Sequence, residues 1–365
     1  MTNNRQIAGL IKTAIEAQKK GDFVGAEVAC REALALDENN TLVSNQLALL
    51  IHFQGQSEAG LKVLSELLEK NPDFPDALFS KGKILFDLGD YKEAIPPLKM
   101  AAKTWPYPDI RPWALLGKTF LHLRRYEQAV EWLRPAVKKN PKAFSAMNDL
   151  GLALKNVQKH QEAIQVFEQA TRGAPGNAML YFNLGLTRLD LGEHAAAESL
   201  FQRAVEIKPD YLEAHEALNE TIGVERDDFL SSYTKAIQAV PKNLELRLQY
   251  VDTLLRTRNE AAGIKALGEI DAVFGENPRS LWRLAKIQIT RDEKTEALAT
   301  LEKAIGLNPD SIELKLEAAK LLIRLGDYKR PSITLKLASA LMNFTRSLLP
   351  FRLCVGGFWA MSEPD

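Results

Sequence analysis

Three kinds of residue return along this chain at one shared period, and that constrains its fold more than anything else in it. A glycine recurs at Gly82, Gly117, Gly151 and Gly185, with spacings of 35, 34 and 34. One alanine recurs at Ala94, Ala129, Ala163 and Ala197, and another at Ala101, Ala136, Ala170 and Ala204, both with the same spacings. Prolines follow at Pro72, Pro106, Pro141, Pro175, Pro209, Pro241, Pro278 and Pro309, spaced 34, 35, 34, 34, 32, 37 and 31. A period of this length marks an array of small units that cannot bury their apolar faces alone.

Residues 178–211 show what one unit is. Leu184 and Gly185 share an apolar helical face, Gly192 breaks the helix, a second helix carries Ala197, Phe201 and Ala204, and Pro209 ends it. Small residues sit where two helices must approach closely, and large apolar ones fill the space between. The sequence therefore predicts an all-α chain of about ten stacked helical hairpins. Residues 7–211 form a regular array of six. Residues 212–330 form a divergent array of about four, in which Asn219 stands in the place of the leading glycine and 244–280 is the least recognisable copy.

The 34-residue period, the Trp113–Gly117 run WALLG, an aromatic after the turn (Tyr91, Tyr126) and the closing prolines resemble the tetratricopeptide repeat (TPR) family. The resemblance covers roughly residues 7–330. It implies a right-handed α-solenoid whose first helices line a concave groove, and a non-catalytic scaffold that holds a protein or peptide partner there.

Composition narrows the classes further. Lys+Arg and Asp+Glu are both 47, a formal net charge of zero, so no basic excess points to nucleic acid. Cys30 and Cys354 lie at opposite ends of the chain and make neither a disulfide framework nor a metal spacing. The N-terminus is polar where a signal peptide needs an apolar run. No stretch reaches the ~20 apolar residues of a membrane span. The expectation is a cytoplasmic protein without membrane contact. His160-Gln161-Glu162 has the spacing of two ligands of an iron site, but His160 occupies the turn position held by Tyr91 and Tyr126 in other copies. No phosphate loop or nucleophile elbow is present. The expectation is no catalytic residue, no metal and no cofactor.

The groove candidates are the polar residues of the first helices: Asn45, Gln46, Lys83, Arg111, Lys118, Asn148, Asp149 and Asn183. Amide side chains offer both donor and acceptor, so they can pair with an extended backbone without reading its sequence. Gln46 and Asn183 fall at one repeat position with Ser80 and Asp149 between, a partial amide ladder like that of some TPR glycosyltransferases. The Lys-and-Asn clamp of chaperone-binding TPR proteins is not reproduced; Lys83 and Lys118 are its nearest remnants.

The C-terminus departs from the pattern. Pro331 falls where the first alanine of a second helix belongs, and residues 331–365 hold no clear register. In the frame offset by one base, the Arg330–Pro331 junction can encode alanine. The Phe358–Trp359 and Trp359–Ala360 junctions must encode Leu and Gly, the array's own end-of-helix phrase (Leu325, Gly326). The expectation is a frame-shifted or truncated ending, with a divergent cap helix as the alternative. Similar bacterial proteins place a TPR array before a catalytic domain of the Fe(II)/2-oxoglutarate oxygenase-like or the glycosyl- or sulfotransferase-like kind. The second functional reading is therefore the partner- or substrate-binding half of such an enzyme. A third is a homo-oligomer built through the end faces of the array.

Overall fold

The computed structural model describes residues 2–223, 226 and 228–325, and among them every regular element is an α-helix. The aberrant tail expected at 331–365, like the last residues of the divergent array, lies outside the described residues. Contacts group the chain into two units, Met1–Lys208 and Pro209–Asp365.

The first unit holds six hairpins. They are α1 (Thr2–Lys19) with α2 (Phe23–Leu36), α3 (Thr41–Phe53) with α4 (Ser57–Lys70), and α5 (Pro75–Leu88) with α6 (Tyr91–Thr104). Then come α7 (Arg111–His122) with α8 (Tyr126–Lys139), α9 (Phe144–Asn156) with α10 (His160–Gly173), and α11 (Ala178–Asp190) with α12 (His194–Ile207). The second unit holds α13 (Leu212–Ile222) with α14 (Ser231–Ala239), α15 (Leu244–Arg256) with α16 (Glu260–Phe274), α17 (Pro278–Thr290) with α18 (Lys294–Leu307), and α19 (Ile312–Leu325). The described residues thus contain nine complete hairpins and the first helix of a tenth. Within each unit, neighbouring hairpins stack through the second helix of one and the first helix of the next.

The periodic glycines sit where the helices of a hairpin meet. A Cβ on Gly82 would lie 2.5 Å from Leu98, on Gly117 2.3 Å from Leu133, on Gly151 2.5 Å from Phe167, and on Gly185 2.6 Å from Phe201. Each of those four partners is fully buried. The alanines Ala94, Ala129, Ala163 and Ala197 are also fully buried, on the facing helix. In the second hairpin the small residue has changed sides. Ala48 stands on α3, and Gly60 of α4 approaches its carbonyl, which a Cβ would meet at 2.7 Å.

The period is also written in the backbone. In eight of the nine complete hairpins the turn places one residue in the left-handed region, at Gly21, Gly55, Gly89, Arg124, Gln158, Gly192, Arg258 and Asp292, while the longer seventh connection has positive φ at both Gly223 and Leu230. Glycine reaches that region without steric penalty, whereas an L side chain is strained there by roughly 1–2 kcal/mol. Seven of the eight periodic prolines lie two residues beyond a second helix: Pro72, Pro106, Pro141, Pro175, Pro209, Pro241 and Pro309. Pro278 is different. It is the first residue of α17, a position where its missing N–H would have been unpaired anyway. This corrects the expected boundary: the ninth hairpin begins at Pro278, with Asn277 as its cap, and not at 281.

The missing glycine at 219 has a local cause. The seventh hairpin has a second helix of only nine residues, and polar side chains fill the space beside it. Asn219 donates to the His215 carbonyl (2.7 Å) and to Ser232 Oγ (3.2 Å), and its Oδ1 accepts from Leu230 N (2.7 Å). His215 is buried and stacked on Tyr233 at 4.9 Å. Its Nε2 donates to the Pro209 carbonyl (2.9 Å), which leaves Nδ1 to accept from Ser232 Oγ (3.1 Å).

Two outcomes are expected. Gly185→Ala drives a Cβ into the Phe201 ring and should lower stability by about 1–3 kcal/mol. Gly176→Ala, an exposed site with nothing within 4 Å, should stay within about 0.5 kcal/mol. Urea denaturation of both variants compares them directly. Burial pushes the His215 imidazole below its ordinary 6.5, opposed by its bond to the Pro209 carbonyl. The folded state then binds fewer protons than the unfolded chain, so stability is lost as pH falls from 6.5 toward the folded value. Denaturation at pH 7.5 and 5.5 should show that loss in the wild type and a smaller one in His215→Asn.

Candidate functional site

The polar residues of the first helices in unit 1 fall into separate settings. The first joins α7, α9 and α11. Asn183 Nδ2 donates to Asn148 Oδ1 at 2.7 Å, with the two residues only 6% and 4% exposed. Thr187 Oγ1 returns to the Asn183 carbonyl at 2.7 Å. Next to this pair stands Asp149, half-buried. Burial raises its carboxyl above the ordinary carboxylate range, opposed by the Lys118 charge, a hydrogen bond with Asn148 and the His122 ring. Lys118 is exposed and lies 5.7 Å from the centre of the Phe86 ring. His122 is stacked on Tyr91 at 4.6 Å and set edge-on to Phe86 at 5.2 Å.

The second setting is Lys83 on α5. Its ammonium bonds Asp87 at 2.6 Å, and Asp87 also faces His52 Nε2 at 3.2 Å from the preceding first helix. Further along, Lys155 reaches Asp190 in the same sense, from one first helix to the next, at 3.2 Å. Gln46 donates to Gln18 Oε1 at 2.6 Å, while Asn45 Oδ1 is buried without a hydrogen-bond partner among the described residues.

The third is Arg111, at the start of α7. It binds Asp109 through its backbone N–H (3.0 Å) and through Nε (3.1 Å), and it lies over the rings of Trp105 (4.9 Å) and Phe79 (5.5 Å). Trp105 Nε1 also donates to Asp109 Oδ1, at 3.2 Å. The hydrogen bonds and the guanidinium hold the Asp109 carboxyl below its usual range, against the opposing effect of burial. Asp109 is the single residue inserted between the third and fourth repeats, and it organises this cluster.

The predicted residues are therefore not one continuous ladder. Lys118, Asn148, Asp149 and Asn183 are brought together. Asn45 with Gln46, Lys83, and Arg111 each belong to a separate neighbourhood. Gln46 and Asn183 do share a repeat position, and each bonds the first helix of the repeat before it.

Sequence reasoning passed over the charged face of unit 2. Arg283 is 7% exposed and bonds both oxygens of Asp252, with Nε at 2.7 Å, while its Nη1 donates to the Arg279 carbonyl at 3.1 Å. Arg279 forks onto Glu245 at 2.7 and 2.9 Å. Arg256 reaches back to Glu216 at 3.3 Å. All three pairs join consecutive first helices. A signal was available for one of them: Glu245 and Arg279 are each the second residue of their first helix, 34 residues apart, whereas the other two pairs join different positions. Among the described residues no group of three or more His, Cys, Asp and Glu could hold a metal. None of their helices is long and apolar enough to cross a membrane.

The Asn148–Asn183 bond yields a direct test. Asn183→Ala leaves a buried Asn148 carbonyl oxygen unpaired and should cost about 1–3 kcal/mol. The double variant with Asn148→Ala should cost less than the sum of the two single ones, by 0.5 kcal/mol or more. Additive losses in chemical denaturation would show that the two amides do not interact.

The comparisons agree with this architecture. A family model described as tetratricopeptide repeat matches residues 53–108, 114–178 and 149–211, and a second model of the same description matches 278–311. Among solved structures, PilF of Pseudomonas aeruginosa shares 19% identity, with 60% of this chain and 100% of that one aligned at a TM-score of 0.54. YrrB, described as a TPR protein with an unusual peptide-binding site, shares 23% identity over 52% of this chain and 97% of its own, with a TM-score of 0.47. MamA of Desulfovibrio magneticus shares 22% over 47% and 96%, with a TM-score of 0.44. With its period, its helix-pairing glycines and the family-model matches together, the chain belongs to the tetratricopeptide repeat family.

Proposed function

We propose that this protein is a non-catalytic, cytoplasmic scaffold that binds an extended protein or peptide segment on the first-helix face of unit 1, in a concave groove centred on α7, α9 and α11. The observation that carries this reading is Asp149. A stacked array needs no carboxylate half-buried beside an amide pair. Burying one raises the energy of its charged form, and such groups collect at functional sites. Asp149 and the unused donors and acceptors of Asn148 and Asn183 offer main-chain hydrogen bonds to an extended segment. Exposed Lys118 and the His122–Tyr91–Phe86 rings form the adjoining wall. Neither a basic surface nor a phosphate-cradling loop supports nucleic acid as the partner.

The experiment is selection of peptides from a random library on the full chain, followed by calorimetric titration. Asp149→Asn and Lys118→Ala should each weaken the selected peptides at least fivefold while the chain stays folded. Unchanged affinity in both variants would place the binding surface elsewhere.

A further inference from the structure

Apart from the face centred on α9, unit 1 holds another constellation of polar side chains, shared by the second and third hairpins. Ser57 is the first residue of α4, His52 lies in the last turn of α3, and Asp87 lies in the last turn of α5. Ser57 Oγ is 2.9 Å from His52 Nδ1, and His52 Nε2 is 3.2 Å from Asp87 Oδ2. A carboxylate only accepts, so in the neutral ring Nε2 carries the hydrogen toward Asp87, and the Nδ1 lone pair accepts from the Ser57 hydroxyl. Hydroxyl, imidazole and carboxylate thus stand in the roles of a nucleophile, its base and the group that orients the base, a combination recognised by geometry and not by fold.

The surroundings suit that order. Lys83 Nζ also bonds Asp87 Oδ2, at 2.6 Å, which fixes the carboxylate and leaves it a weaker partner for an imidazolium than an unshared one. Helix α4 opens without a side-chain cap, because Gln56 makes no bond to the first N–H groups. Those of Ser57 and Glu58 adjoin the hydroxyl, and uncapped backbone donors at a helix start favour a developing oxyanion. Ser57 is half-buried and open to a reagent. Phe53, 43% exposed, lies ring to ring 5.6 Å from His52 and gives an apolar platform beside the site.

We propose that Ser57 is a nucleophilic serine that accepts an acyl group from an activated ester. Its Oγ bonds the acyl carbon while its proton passes to His52 Nδ1. The bond from that carbon to the alcohol or phenol oxygen breaks, and the departing oxygen takes the proton from Nδ1. The products are an ester on Ser57 and a free alcohol or phenol, so no oxidant or further reactant enters. The site uses none of α7, α9 and α11, and it stands whether or not that face binds a segment.

The test incubates the full chain with p-nitrophenyl acetate and follows nitrophenol release together with the acetylated positions, located by peptide mass mapping. In the folded chain Ser57 should be acetylated about tenfold faster than any other serine, and in the chain unfolded in urea no faster than the rest. Ser57→Ala should remove the matching burst of nitrophenol. His52→Gln, which keeps a polar side chain and loses the base, should slow Ser57 acetylation about tenfold or more, and Asp87→Asn should slow it by a smaller factor. The comparison among serines needs only the wild type, so a variant that fails to fold leaves the test intact. Acetyl groups confined to amines, Ser57 labelled no faster than other serines, or an unchanged rate in a folded His52→Gln chain would overturn the proposal.

Discussion

Both units depend on how closely two paired helices can approach. At each regular hairpin the first helix gives up a side chain, and a large apolar residue of the second helix fills the space. Leu98, Leu133, Phe167 and Phe201 occupy that place opposite Gly82, Gly117, Gly151 and Gly185. The constraint is on the pair of helices and not on one of them. That is why the small residue can change helices, as it does at Gly60 facing Ala48, without disturbing the stack. It also explains the seventh hairpin. Once α14 is short, a glycine at 219 would leave a void, and an asparagine with three local hydrogen bonds fills it instead. A buried polar network of this sort is stable only when its members are matched, and each polar atom of Asn219 and His215 has a partner here.

Stacking alone leaves the relation of one repeat to the next to apolar contacts, which are poorly directional. Directional links are added on the first-helix face, and the two units use different chemistry for them. In unit 1 they are amides, a histidine and a lysine–carboxylate pair, as in Gln46 with Gln18, Asn183 with Asn148, His52 with Asp87, and Lys155 with Asp190. In unit 2 they are bidentate arginine–carboxylate pairs, Arg279 with Glu245 and Arg283 with Asp252. Planar forks of this kind fix geometry more strongly than a single amide bond. The exposed pairs contribute little stability in themselves. Their effect is on register, because a shift of one residue along a helix would separate a guanidinium from both oxygens.

The fold was legible because its constraint is repeated. Gly82 alone could be a turn, a kink or a close contact; four copies at one spacing, in phase with Ala94 and its equivalents, admit only a paired helix. Pro278 shows where that reasoning stops. A proline at the start of a helix and one just past its end look alike in sequence, so Pro278 was assigned to the wrong helix, while the spacings of 37 and 31 around it already marked the irregularity. The site was less legible for a different reason. Register places Asn148, Asp149 and Asn183 near the middle of first helices, but position does not say which atoms are already bonded. The internal Asn148–Asn183 bond and the pairing of Arg283 with Asp252 depend on side-chain directions across neighbouring repeats. Neither could be read from one helix at a time.

Asp149 and Arg283 make the consequence concrete. Each is the sixth residue of its first helix, and each brings a charge to the same place in a repeat. Arg283 finds both oxygens of a carboxylate on the preceding first helix, so its charge is matched and its donors are directed inward. Asp149 finds the Lys118 charge and the His122 ring, which oppose its burial only in part, and its carboxyl stays above the ordinary range. One position has thus been resolved twice, once by closing the charge within the array and once by leaving it partly unmatched.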